Sequence, residues 1–440
     1  MMNLWKGERF HFIGIGGCGM SGLALVMKQL GAIVTGSDQK ESIFSCSLRE
    51  AGVNVTIGHS AASVPKTSMI VYSSAVRPDN PERAFARSEG LKEIHRSELL
   101  AELTTSMRTL AVCGAHGKTT TAALTAHVLT QCGIDPSYVI GGLPRPPMPH
   151  GYAGDSDLLI IEADESDRSL LRYHAEMVIV TNIDLDHIRD GGYQSKSDVA
   201  EVIGKLVSKA RIAFTPAHTK EYFSLNNLLI VQPTTDSGEL SSFSLDGHQY
   251  RSHAPGVHQI ENAALVVRAA ISLGCTPDRI ADALRSFPGL ARRFESVGKL
   301  PSGAVVIDDY AHHPAEIAAV IKATRGSGCG RVIVVFQPHL FSRTVHFARE
   351  FADALSLADI TYVENIYPSR ESNSDWPGAS RELILKESSS AQRGSLLPAP
   401  NREELIKLLV DGTQPGDTVL VLGAGDIADL ARALAAQSES

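Results

Sequence analysis

Lys118 and Thr119 are the residues whose setting most resembles a reaction centre. Residues 110–121 read Leu-Ala-Val-Cys-Gly-Ala-His-Gly-Lys-Thr-Thr-Thr. An apolar run enters a tight turn, Gly114-Ala115-His116-Gly117, and Lys118, Thr119 and Thr120 then open an apolar helical pattern. A strand, a glycine turn and a helix in that order make a phosphate cradle. Backbone N–H groups converge on the anion, and the helix start adds partial positive charge. Lys118 has the reach for terminal phosphates, and the Thr119 hydroxyl can ligate Mg²⁺. The longer form of the pattern carries a further glycine where this chain has Val112, so the signal is the shorter G-x-x-G-K-T. The competing reading is a plain βα turn with a solvated lysine.

Other strand ends carry chemistry too. Residues 158–161 read as a buried parallel strand that delivers Glu162, Asp164, Glu165 and Asp167. Beside a phosphate loop, a strand-end acid is the natural Mg²⁺ partner, and Glu162 follows the apolar run directly. The strand at 177–182 leads to Asp184, Asp186 and His187, of which Asp186 and His187 could hold a second metal or be structural. Near the N-terminus, residues 10–22 run a strand into Gly14-Ile15-Gly16-Gly17-Cys18-Gly19, and a second strand ends at Ser37-Asp38. This glycine pattern suits any diphosphate that approaches a helix start, in a nicotinamide cofactor or in a UDP group. Ser73 and Ser74 end a further strand and could meet a ligand or cap a turn. His258, Gln259 and Asn262 open a helix predicted over 257–273, where they could bind a purine or cap the helix. In the last third, polar clusters at 308–314, 337–344 and 423–426 follow short apolar runs.

Parallel sheets gather such strand ends along one edge, so the elements that position these residues are repeated βα units. The pattern predicts an α/β chain of three domains: a Rossmann-like domain over 1–107, a central P-loop domain over 108–296 and a Rossmann-like C-terminal domain over 297–440. The 440-residue length is too great for a single core. Residues 141–149, rich in glycine and proline, are predicted to be an exposed loop. A net charge of −8 argues against a broad nucleic-acid surface. The six cysteines include no C-x-x-C pair, which argues against a zinc site and a disulfide framework. No apolar run reaches bilayer length, so membrane insertion is not expected and a cytoplasmic location is.

Taken together, these stretches resemble the cytoplasmic Mur ligases. The matching segments are 12–22, 114–121, 162–167, 181–183, Arg292-Arg293-Phe294-Glu295, 308–314, 336–339 with 342–344, and 423–427. They span nearly the whole chain in order. The double-histidine segment at 312–313 and the Gln337-Pro338-His339 segment with Arg343-Thr344 look like those of the alanine-adding member. The resemblance implies an ATP-dependent ligase acting with Mg²⁺ on UDP-N-acetylmuramate and L-alanine through an acyl phosphate, as a monomer or homodimer. It places the UDP-sugar on Gly14, Gly16, Gly17, Gly19, Met20, Asp38, Ser73 and Ser74. It places ATP on residues Gly114, Ala115, His116, Gly117, Lys118, Thr119 and Thr120, with His258 and Asn262 toward adenine, Asp309 at the ribose, and Arg293. Metal would fall to Thr119, Glu162 and His187. Lys118, Glu162, His187, His339 and Arg343 would do the catalytic work, the last two by holding the amino acid and the transferring phosphate.

Some positions depart from that family's pattern. Gln259 stands where asparagine is usual, Arg189 where an acid is usual, and residues 143–154 lack an asparagine-bearing substrate loop. A ligase for a peptide or another amino acid, or a catalytically impaired nucleotide-binding homologue, is thus also compatible with the sequence. A nicotinamide dehydrogenase would rest on Gly14–Gly19 alone and would leave Lys118, Glu162 and His187 without a task.

Overall fold

The computed structural model describes residues 5–185, 193–235, 241–369, 371–387 and 396–439. Its backbone is organised by three parallel-rich sheets, as the repeated βα pattern predicts. The first has the order β3-β2-β1-β4-β5, with β1 Arg9–Ile13, β2 Ile33–Asp38, β3 Asn54–Ile57, β4 Met69–Tyr72 and β5 Glu93–His95. All its pairings are parallel, and Ile13 aligns with both Ser37 and Tyr72. The glycine turn, Asp38 and Ser73 therefore emerge on one edge.

The second sheet has the order β12-β11-β10-β6-β9-β7-β8. Its strands are β6 Arg108–Cys113, β7 Ser137–Val139, β8 Gly151–Tyr152, β9 Leu158–Glu162, β10 Met177–Val180, β11 Ile212–Pro216 and β12 Leu228–Val231. Only β8, paired with β7, is antiparallel. β6 and β10 lie at its centre, and their buried apolar runs are what a sheet covered on both faces requires. A small sheet follows, with β13 Thr234–Thr235, β14 Ser242–Leu245 and β15 His248–Arg251.

The third sheet has the order β16-β17-β21-β18-β19-β20. It contains β16 Glu295–Lys299, β17 Val305–Asp309, β18 Val332–Phe336, β19 Ile360–Val363, β20 Leu396–Pro398 and β21 Thr418–Leu422. The edge strand β16 is antiparallel and its ladder is bulged at Ser296/Gly298.

The chain divides into two compact units: residues 1–234, 244–251 and 261–290, and residues 235–243, 252–260 and 291–440. Within the first unit, one hydrophobic core joins side chains of the first two sheets, among them Phe12, Leu159, Ile161 and Val178, with Leu99 and Leu103 of the helix Arg96–Ser106. The join is tightest where the helix Cys18–Gln29 meets β8. A Cβ on Gly22 would lie 2.9 Å from the His150 carbonyl, and a Cβ on Gly151 would lie 2.7 Å from the Gly22 Cα. Two backbones touch there, and a side chain on either would push them apart. Among the described residues no helix is long and apolar enough to cross a membrane, and all six cysteines are free.

The sequence pattern places the first helix over 23–30 and ends the apolar run before Asp308, and both bounds shift by a few residues. The first helix begins at Cys18, inside the glycine motif, so Gly19 and Gly22 are helical. β17 runs on to Asp309 because Asp308 and Asp309 still pair with Val421 and Leu422, so both acids sit in the sheet and not beyond it.

Candidate active site

The register of β6, β9 and β10 builds the centre of the site. Val112 aligns with Glu162 and Cys113 with Val180, so the turn 114–117, Glu162 and Thr181-Asn182 leave the sheet side by side. Gly114 has φ +126°, and a Cβ there would collide with the Thr181 hydroxyl and lie 2.9 Å from the Asn182 carbonyl. Gly117 has φ +78°, and a Cβ there would lie 2.6 Å from Asn262 Nδ2. Only glycine fits either place. The turn is pinned from β10. Thr181 Oγ1 donates to the His116 carbonyl (2.7 Å), Asn182 Nδ2 donates to the same carbonyl (2.9 Å), and His116 N donates to Asn182 Oδ1 (3.0 Å). Ala115 and Thr120 are buried, so what they present is backbone. The helix Lys118–Gln131 starts at Gly117 without a side-chain cap.

Lys118 Nζ donates to the carbonyls of Gly114 (2.8 Å) and Ala115 (3.3 Å) and to Glu165 Oε2 (2.8 Å), with Asp164 at 3.6 Å. Burial alone would lower the lysine's pKa, but Glu165, Asp164 and Glu162 outweigh it and hold the ammonium above its usual range. Glu165 is 1% exposed, and burial raises its carboxyl. Thr119 Oγ1 donates to Glu162 Oε2 at 2.9 Å, and Gly141 N donates to Glu162 Oε1. Burial raises Glu162 as well, against the pull of those two donors and Lys118. A hydroxyl and a carboxylate at the start of a phosphate-type turn are the hard oxygens that Mg²⁺ takes.

The loop at 141–149 is in part a correction. It was expected to be exposed throughout, but Gly141 sits on Glu162, and a Cβ on Gly142 would lie 2.7 Å from Thr119 Cγ2. Its first two residues thus form a wall of the site, and only glycine is slim enough to do so.

Some sequence candidates fall outside this picture. His187, Asp186 and Arg189 lie outside the described residues. Their neighbour Asp184, not singled out from the sequence, lies 3.6 Å from His116 Nε2 and 3.0 Å from Lys196 Nζ. A hydrogen bond from His116 foremost, then the Leu185 N–H and Lys196, hold its carboxyl far below the usual range against the effect of burial. Glu165 and Asn182 were likewise present in quoted segments without a role. Each directly follows a buried strand or its turn, which was the available signal.

The first sheet's edge forms a groove of about 760 Å³, lined by Gly14, Gly16, Gly17, Asp38, His59 and Ser73 among others. Asp38 Oδ2 accepts from Gly16 N at 2.8 Å, and the Ser37 carbonyl accepts from Gly14 N and Ile15 N, each at 2.9 Å. Gly19 lies in the helix with Arg96 close by. Two candidates are corrected here. Met20 is 2% exposed and packs in the core, since the helix turns that position inward. The Ser74 hydroxyl pairs with His95 Nε2 at 3.0 Å and is not part of the groove lining.

In the second unit, β17, β18 and β21 bring three clusters to one edge. Gln337 Nε2 donates to Asp426 Oδ1 (2.8 Å), and Arg402 joins Asp426 and Glu364. His339 stacks on Tyr367 with ring centroids 5.9 Å apart, and meets His312 edge-on at 6.0 Å. Arg343 Nη1 lies 3.5 Å from His339 Nδ1, so the two expected amino-acid contacts stand together. Arg293 lies over the Tyr310 ring at 5.1 Å. His258 neighbours Gln259, whose Nε2 lies 3.2 Å from His258 Nε2. Asp309 differs from expectation: its two oxygens accept from Phe294 N (2.6 Å) and Ala311 N (2.7 Å), so it braces the chain on both sides of β17.

Its neighbour Asp308 yields a stability prediction. Burial pushes its carboxyl up to about 6, against the Arg292 guanidinium 3.4 Å away. Between about pH 4 and 6 the folded chain then holds a proton that the unfolded chain has lost. Stability therefore falls as pH rises through that window, by on the order of 3 kcal/mol. Asp308→Asn is expected to flatten this slope in urea titrations run at stepped pH.

The model of the Mur ligase family, catalytic domain, matches residues 9–108, and that of the Mur ligase, glutamate ligase domain, matches residues 292–425. Similar curated proteins include the UDP-N-acetylmuramate–L-alanine ligase of Streptomyces avermitilis, 38% identical over 450 residues, with 96% of each chain covered. The enzyme of that name from Stenotrophomonas maltophilia is 38% identical over 456 residues, covering 98% of this chain and 95% of the other. Among solved structures, the UDP-N-acetylmuramate–alanine ligase of Thermotoga maritima has a TM-score of 0.83 at 28% identity, covering 98% of this chain and 99% of that one. A murein peptide ligase of Psychrobacter arcticus shares the fold, with a TM-score of 0.71 at 23% identity over 99% of both chains.

Proposed function

The chain belongs to the Mur ligase family, and we propose that it joins L-alanine to the lactyl carboxylate of UDP-N-acetylmuramate at the expense of ATP. This is an amide ligation in peptidoglycan precursor synthesis, and the enzyme is an ATP-dependent ligase. The observation that carries the chemistry is the convergence of Lys118, Thr119 and Glu162 beside a turn where only glycine fits.

Those residues suit ATP with Mg²⁺. The turn can admit a phosphate where any side chain would intrude, and Thr119 with Glu162 forms a hard-oxygen pair. Bound there, Mg²⁺ would neutralise phosphate charge. The residues' own task is electrostatic. The lactyl carboxylate must attack the terminal phosphate of ATP, two anions that repel, and the acyl phosphate forms as the bond to the leaving ADP breaks. Lys118, held charged by its acidic neighbours, reduces that repulsion. The alanine amine then attacks the acyl carbon, a tetrahedral intermediate forms, and inorganic phosphate leaves. We assign the amino acid and transferring phosphate to His339 and Arg343, and the UDP-sugar to the Gly14–Gly17 turn with Asp38 and Ser73. His258, Asn262 and Arg293 are assigned to the adenine nucleotide. We propose domain limits of 1–107, 108–296 and 297–440, one sheet to each domain, with the second limit falling inside the edge strand β16, Glu295–Lys299.

The test is phosphate release with ATP, Mg²⁺, UDP-N-acetylmuramate and L-alanine, each omitted in turn. Release is expected only with all four present. Turnover with a peptide in place of L-alanine, and none with L-alanine, would move the reading to a peptide ligase.

A further inference from the structure

A charged network lies behind the floor of the N-terminal groove. Glu82, in the first turn of the helix Pro81–Ser88, is fully buried. Its carboxylate accepts hydrogen bonds from Ser37 Oγ (2.5 Å) and Ser60 N (3.2 Å). It faces His59 Nδ1 at 3.3 Å and His11 Nε2 at 3.7 Å. Ser37 Oγ also lies 3.0 Å from His59 Nδ1, while the Ser37 carbonyl holds the N–H groups of Gly14 and Ile15. One buried carboxylate thus ties the glycine turn to the His59 ring. Burial would raise Glu82, but hydrogen bonds from His11 and Ser37 prevail, and it stays ionised below the usual carboxylate range. Unpaired, such a charge would be strongly destabilising, so its partners are needed to keep it there.

We propose that Glu82 fixes the tautomer of His59, and that His59 thereby distinguishes uracil from cytosine in the bound nucleoside diphosphate sugar. The proposal rests on the assignment of this groove to the UDP-sugar. An ionised carboxylate only accepts, so the ring nitrogen that faces it, Nδ1, carries the hydrogen. In that tautomer Nε2 carries the lone pair. His59 lines the groove together with Gly14, Asp38 and Ser73. It follows β3, two strands across from the β1 turn, a lateral distance of about 10 Å. That is the span from a diphosphate through ribose to base. Uracil presents an N3–H donor to an acceptor in that place. Cytosine presents a lone pair at N3, which an Nε2 lone pair repels. Glu82 is a positioning residue in this scheme, and His59 is the residue that reads the base.

Calorimetric titration of the full chain with UDP and with CDP tests it, with melting temperatures measured alongside. The unaltered chain is expected to prefer UDP by about thirtyfold, the scale of one polar group mismatched in a buried site. Glu82→Gln keeps the shape but can donate to Nδ1, so the ring can switch tautomer, and the preference is expected to drop about tenfold. His59→Phe keeps a ring without the acceptor and is expected to bring the preference close to one; it takes one partner from Glu82, so the melting temperature is expected to fall, while Ser37 and Ser60 still donate to the carboxylate. His59 is only partly buried, so this variant decides the matter should Glu82→Gln not fold. A UDP preference unchanged in His59→Phe overturns the proposal. If the unaltered chain binds neither nucleotide, the assignment of the groove itself is what fails.

Discussion

Lys118→Ala is expected to lower kcat by about a thousandfold or more while leaving the dissociation constant for UDP-N-acetylmuramate within about twofold. The charge at Lys118 acts where two anions must meet. The proposed sugar nucleotide groove lies on the edge of a different sheet. The single variant has a confounding effect, because it strips Glu165 of the ammonium 2.8 Å away. A buried carboxylate left without its partner destabilises a fold by about 3–5 kcal/mol. The double variant Lys118→Ala, Glu165→Gln removes that stranded charge. Its melting temperature is expected to recover toward that of the unaltered chain while turnover stays lost. Recovery of turnover together with stability would mean that Lys118 serves only the fold. Loss of UDP-sugar binding in the stable double variant would mean that the two sites are not separate. Stopped phosphate release and calorimetry on one preparation read both quantities.

The parts of this site that were legible in the sequence share a cause. A buried parallel strand is a short apolar run, and whatever follows it emerges on the edge where ligands bind. Residues 158–161, 177–182, 332–336, 360–363 and 418–422 could be read in that way; β9, β18, β19 and β21 contain theirs, and β10 covers 177–180 of its stretch. Lys118, Thr119, Glu162 and His339 were found because they stand at such ends. The misses also have causes. Met20 faces the core because helix phase, which a glycine-rich opening hides, sets its direction. Asp309 looked like a ligand contact, and its oxygens hold the N–H groups of Phe294, just before β16, and of Ala311, contacts from outside its own strand that no periodicity announces. Glu165 was one acid among four, and only the path of the chain after β9 brings it, more than its neighbours, to Lys118. His59 had no pattern of its own. Its significance comes from Glu82, 23 residues away in sequence.

Glu162 provides the sharpest separation of activity from stability. Burial raises its carboxyl, so at neutral pH the ionised form works against the fold, although Thr119, Gly141 and Lys118 offset part of this. The sign follows directly. A carboxyl raised in the folded state contributes stability below its unfolded pKa and loses it as pH rises through the folded value. Glu162→Gln removes the ionisation, and its amide oxygen can still accept from the Thr119 hydroxyl or from Gly141 N. The variant is therefore expected to be as stable as the unaltered chain at pH 7, or more so, and its stability should change less as pH rises above the ordinary glutamate range. Activity should move the other way. A neutral amide is a weaker partner for Mg²⁺ than a carboxylate, so kcat is expected to fall by about a hundredfold or more, with the Mg²⁺ needed for half-maximal rate rising. Glu162→Asp keeps the charge but withdraws it by one methylene, and should recover part of the rate at high Mg²⁺ while Glu162→Gln does not. A fall in stability with unchanged Mg²⁺ dependence would assign Glu162 to holding the Gly141 loop. A stable, slow, Mg²⁺-hungry variant would show that the fold tolerates a strained carboxylate there for the sake of phosphoryl transfer.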